Sequence, residues 1–111
     1  MKFLKSILIF SFAIISQFAF CQDFVSREEA LKRVEIQQAN YQDQFENNII
    51  TKIKIDISDR YLEVVVLYLK DGMEIETSLN AALEKCLYTF KEFDEEVVEF
   101  NEEIIALLTV N

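Results

Sequence analysis

Residues 49–79, IITKIKIDISDRYLEVVVLYLKDGMEIETSL, constrain the fold of this chain more than any other stretch. Ile49, Thr51, Ile53, Ile55 and Ile57 alternate with Ile50, Lys52, Lys54, Asp56 and Ser58, the period-two pattern of a strand with one buried face. Residues 61–69 are apolar at nearly every position, as a central strand covered on both sides would be. Met73, Ile75, Thr77 and Leu79 then alternate with Glu74, Glu76 and Ser78. The three runs predict a three-stranded antiparallel meander.

Two turn signals set its register. Asp71-Gly72, which holds the only glycine of the chain, suits a two-residue type I′ hairpin whose central residues take positive φ. Asp59-Arg60 supplies the other turn. Together they place Ile53, Ile55, Ile57, Leu62, Val64, Val66, Tyr68, Met73, Ile75 and Leu79 on one dry face. A slip of one residue would turn every one of them to the other side. The opposite face then carries a stripe of Val65, Leu67 and Leu69, with Lys52 and Glu76 beside Leu67 and with Ile50 and Glu74 beside Leu69. Charged stems can cover such a strip; left uncovered it is a contact surface for a partner. These seven residues are the candidate interaction surface.

The start of the chain, with Lys2 and Lys5 ahead of an apolar run and Ala19-Phe20-Cys21-Gln22 behind it, reads as a signal peptide over residues 1–21. Cleavage before Gln22 leaves a single small domain, residues 22–111, exported across the inner membrane to the periplasm or beyond, with no stable membrane span. Lipidation of Cys21 is the alternative, though Phe20 stands where a small residue is preferred. All 20 acidic residues follow the leader and two of the 11 basic ones precede the cut, so the mature chain carries a net charge of −11. That excess argues against nucleic acid and anionic membranes as partners. Cys86 alone remains, so there is no internal disulfide framework, and it fits a small buried apolar residue.

Ser26-Arg27-Glu28-Glu29 has the form of a capping box and opens a helix that Asn47 and Asn48 can stop. Its stripe is Leu31, Val34, Gln38, Tyr41 and Phe45. After Leu79 the period lengthens to that of a helix, with Asn80 as N-cap and Leu83, Cys86, Leu87, Phe90, Phe93, Val97, Phe100, Ile104 and Leu107 on one face. One helix over 81–107 would be about 40 Å long, too long for the sheet it covers, so a break near Phe93-Asp94 is expected. The fold class is therefore α+β: an N-terminal helix, a three-stranded antiparallel meander and a C-terminal helix or helix pair packed on one sheet face. That element order is similar to PepSY-type and cystatin-like domains, with Glu28-Glu29-Ala30 and Asp71-Gly72 matching residues recurrent in PepSY sequences. The resemblance covers topology and carries over no functional residue.

No motif of catalysis stands out. Asp94, Glu95, Glu96, Glu99, Glu102 and Glu103 lack the spacing and glycine of a calcium loop and read as the wet side of a helix. Asp56 and Glu63, opposite each other in the meander, read as a charged rim and not as an acid-base pair. The expectation is a non-enzymatic, exported interaction protein of the inhibitor, immunity or assembly-accessory kind, binding a protein partner and needing no cofactor or metal. The alternative is a structural envelope protein that homodimerises through its C-terminal helices.

Overall fold

The structure, a computed structural model, describes residues 23–110; the expected signal peptide and the lipidation alternative at Cys21 lie outside the described residues. Four helices follow one another: α1 (Arg27–Glu46), α2 (Lys52–Lys70), α3 (Ile75–Thr89) and α4 (Asp94–Leu108), with a short 3₁₀ turn (Lys91–Phe93) ahead of the last. Among the described residues there is no strand or sheet, only an isolated antiparallel bridge between Phe24 and Thr109. The protein is a helical bundle. This corrects the α+β expectation, and with it the meander and the resemblance in element order to PepSY-type and cystatin-like domains.

The residues expected to form the first two strands form α2 instead. Thr51 caps it, its Oγ1 accepting the Lys54 amide at 3.2 Å, which satisfies one of the orphan donors of the first turn. Read at helical spacing, Ile55, Ser58, Leu62, Val65 and Leu69 fall on one line and Ile57, Tyr61 and Val64 on the next, and all eight are buried. Ile53, Ile55, Ile57, Val64, Val65 and Val66 are β-branched, which costs a helix a few tenths of a kcal/mol apiece. Burying a Val, Leu or Ile side chain returns roughly 1.5–3 kcal/mol. Burial outweighs propensity, and α2 becomes the central helix, packed against all three others.

Neither turn signal makes a hairpin. Asp59 and Arg60 lie exposed in mid-helix, where Arg60 pairs with Glu63 at 3.2 Å, one turn on. Asp71-Gly72 closes α2. Gly72 has φ +90, its N–H donates to the Leu69 carbonyl at 3.1 Å, and the Met73 N–H reaches back to the Tyr68 carbonyl at 3.0 Å. This pair of bonds is a Schellman motif, which asks for the same left-handed glycine as a hairpin. Gly72→Ala meets no neighbouring atom, so its cost is the left-handed backbone alone, and a loss of about 1–2 kcal/mol is expected in urea unfolding with an unchanged m-value.

α1 ends in the same way and where the sequence placed its stop. Asn48 takes φ 60, with Asn48 N–H to the Phe45 carbonyl at 3.0 Å and Ile49 N–H to the Gln44 carbonyl at 2.8 Å. At its start the Ser26 hydroxyl accepts the Glu29 amide at 3.1 Å, while the Glu29 carboxylate turns to Arg33 Nε at 3.0 Å. Val34 and Tyr41 of the expected stripe are buried, with Leu31, Gln38 and Phe45 half-buried around them.

The run expected as the third strand is the opening of α3, which buries Ile75, Ser78, Leu79, Ala82 and Cys86. Asn80 therefore sits exposed within the helix instead of capping it. The break near Phe93 is present as the 3₁₀ turn, and Asp94 is the first residue of α4. Val97, Phe100 and Ile104 of α4 are buried, joined by Leu108, with Leu107 half-buried. Backbone bonds tie the two ends of the bundle together: Val25 N–H to the Leu108 carbonyl at 2.9 Å and Val110 N–H to the Asp23 carbonyl at 2.7 Å. Arg33 adds a bond to the Leu107 carbonyl at 2.9 Å, and Arg27 one to the Gly72 carbonyl at 2.7 Å.

Candidate functional site: an acid-rimmed cleft between α2 and α4

α4 begins with Asp94, Glu95 and Glu96, acids whose charge suits the positive end of a helix. Its buried line of Val97, Phe100 and Ile104 faces the bundle, so Glu96, Glu99 and Glu103, spaced three and four residues apart, run along one edge of that line. Opposite them lies the N-terminal turn of α2, placed by the Thr51 cap. Between the two helices opens a cleft of about 180 Å³ lined by Thr51, Ile53, Lys54, Ile57, Glu96, Glu99, Phe100 and Glu103. Ile53, Ile57 and Phe100 form its apolar floor and the charged residues its rim.

One glutamate of the rim is already engaged. Lys54 Nζ lies 2.8 Å from Glu103 Oε1 and 5.5 Å from the centre of the Tyr41 ring, while the Tyr41 hydroxyl donates to Glu103 Oε2 at 3.0 Å. Burial, then the Glu103 charge and the hydrogen bond to it, push the Tyr41 phenol well above its ordinary range, so it stays a donor at physiological pH. Both ends of the Lys54–Glu103 pair are about a third exposed, which keeps such a pair within about 1 kcal/mol. Glu96 and Glu99 are exposed and make no ion pair with any described residue.

Beneath the floor the aromatic core is continuous. Phe100 meets Tyr41 at 5.4 Å between ring centres and Tyr61 edge-on at 5.2 Å, and the buried Tyr61 hydroxyl donates to Asn101 Oδ1. Burial raises the Tyr61 phenol far above its usual range. The Cys86 thiol, also fully buried, is pushed up to about 12, so it is a packed side chain and a poor nucleophile.

The seven residues of the expected interaction surface do not share a face. Val65 and Leu69 are buried in the core, whereas Leu67, on the outer side of the same helix, is 62% exposed. Lys52 reaches Asp56 at 2.6 Å, Ile50 is half-buried ahead of α2, and Glu74 and Glu76 stand at the start of α3. The stripe followed from a sheet register, and helical spacing disperses it. Asp56 and Glu63 lie two turns apart on α2, each held by its own cation. Asp59 between them is raised by partial desolvation and by the charges of Asp56 and Glu63. Among the described residues no group of acids or cysteine is arranged to hold a metal ion, and no helix is long and apolar enough to cross a membrane.

The cleft itself was missed in the sequence. In the sequence its acids read as the wet side of a helix; the three-four spacing of Glu96, Glu99 and Glu103 is the available signal, but only the packing of α2 against α4 supplies the floor. No family model, curated protein or solved structure matches the chain.

Proposed function

We propose that this chain is an exported, non-enzymatic interaction module of the inhibitor, immunity or assembly-accessory kind, which holds a protein partner over the α2–α4 cleft. The observation that carries the reading is the cleft: a concavity walled by half-buried Ile53, closed at its base by the buried Ile57 and Phe100, and rimmed by Glu96 and Glu99, with which no cation of the described residues pairs. Concave apolar surface with a few convergent polar groups is where ligands bind, and surrounding acids give such a surface a preferred partner. Export rests on the leader-like pattern of residues 1–21. The homodimer alternative finds less support, because Val97, Phe100 and Ile104, the stripe it would pair through, are spent inside the bundle.

Site-directed photocrosslinking in native cells tests the reading. With p-benzoylphenylalanine at Glu99 a discrete protein adduct is expected, and none with the probe at Glu28. Glu28 adjoins Arg27, which bonds to Gly72 beyond the far end of α2, so it reports on the opposite end of that helix. No adduct from Glu99, or the same adduct from both sites, would refute the cleft as the binding surface.

A further inference from the structure

We infer that the occupant of the α2–α4 cleft is a single arginine side chain presented by a basic segment of the partner protein; the inference rests on the interaction reading above and names its chemistry. At about 180 Å³ the cleft falls below the roughly 300–1,000 Å³ of a small-molecule site. It has room for one long side chain and none for a helix.

Its lining is layered in the order that an arginine requires. Half-buried Ile53, above a base closed by the buried Ile57 and Phe100, suits a methylene stem, and the carboxylates of the rim suit the guanidinium at its end. The rim sets three glutamates against one lysine, leaving two negative charges uncompensated at the mouth. Guanidinium is planar, always charged and weakly hydrated, and its rigid fork of donors matches carboxylates bidentately, a geometry that an ammonium lacks. The protein contains an example of the same recognition within itself: Lys54 lies near the Tyr41 ring and ends on Glu103. Glu99 and Glu96, one and two turns earlier on α4, offer carboxylates to a cation from outside. With a chain as acidic as this one, steering toward a basic segment follows from the overall field as well as from the cleft.

The test uses purified protein and two short peptides, acetyl-Ala-Leu-Arg-Leu-Ala-amide and the same peptide with citrulline, a neutral residue of the same shape, in place of arginine. Titration followed by amide resonances should move Ile53, Ile57, Glu99 and Phe100 with the arginine peptide. The citrulline peptide should bind about tenfold more weakly. Glu96→Gln with Glu99→Gln, both on exposed positions that leave the fold intact, should weaken the arginine peptide by about tenfold, as two exposed charge pairs near the middle of their usual range would. Ile53→Arg should fill the cleft from within and abolish binding. Equal affinity for the two peptides, shifts confined to another surface, or no binding at millimolar peptide would overturn the inference. So would a protein that sediments as a dimer and becomes monomeric with Ile53→Arg, since the occupant would then be a second copy. A crosslink at Glu99 without arginine binding removes this inference and keeps the interaction reading; failure of both removes both.

Discussion

Tyr61→Ala is expected to cost about 3–5 kcal/mol, the range for emptying a buried aromatic site. Small domains have only about 5–15 kcal/mol in total, so this variant should lie near the threshold of folding. Tyr61 is fully buried at the centre of α2, its ring edge-on to Phe100 and its hydroxyl on Asn101. The milder Tyr61→Phe separates the two contributions. It keeps the ring but leaves the buried Asn101 oxygen without its donor, for a loss of about 1–3 kcal/mol. Adding Asn101→Leu should recover part of that loss, because two apolar groups replace an unpaired acceptor. Urea midpoints for the three variants measure the series; equal costs for Phe and Ala would show that the ring contributes nothing beyond its hydroxyl.

The second large effect is Asp59→Pro, expected to destabilise by about 3 kcal/mol or more. Asp59 lies in the middle of α2, where proline removes the amide that donates to the preceding turn and drives its ring into the carbonyl four residues back. The same position distinguishes the two conformations open to this sequence. Asp59→Asn with Arg60→Gly creates an Asn-Gly pair, the preferred two-residue hairpin turn. It would stabilise a meander, whereas in α2 the glycine alone costs about 1 kcal/mol. Lower urea midpoints for both variants, with helical circular dichroism retained in the second, are the result expected of the bundle. A higher midpoint for the Asn-Gly variant would mean that residues 52–70 are not one helix.

Punctuation was the most legible layer of this chain. Ser26 at the start of α1, Asn48 at its end and Gly72 as a left-handed residue are all local events, determined by a side chain reaching its own backbone or by one residue tolerating positive φ; the interruption near Phe93 was expected from the length of a helix over a sheet, and it is present without that sheet and without a side-chain cap. The stripes of α1 and of the second half of the C-terminal run were legible for the same reason: nothing competed with their helical period. Residues 49–79 were different. Ile49, Thr51, Ile53, Ile55 and Ile57 satisfy a period of two, but Ile55, Ser58, Leu62, Val65 and Leu69 satisfy a period of 3.6 in the same stretch. Two templates fit, and β-branching favoured the wrong one. Gly72 could not decide between them, since a type I′ hairpin and a Schellman cap both ask for positive φ at that glycine; they differ at Asp71, which takes φ −82 here.

The candidate site divides along the same line. Its acids stand together in the sequence, and their spacing puts Glu96, Glu99 and Glu103 on one edge of any helix. Its floor combines Phe100 with Ile53 and Ile57, more than forty residues away, and nothing local joins them.

By itself, then, the sequence determined an acidic chain with helix caps at Ser26 and Asn48 and a left-handed turn at Gly72, because each depends on interactions within a few residues. The tertiary structure decided that residues 52–70 are a helix and that a cleft opens between α2 and α4. The reason is energetic. A few tenths of a kcal/mol per β-branched residue favour a strand, but eight side chains of α2 find burial among three helices only in the helical form, and a preference that depends on distant partners has no local signature.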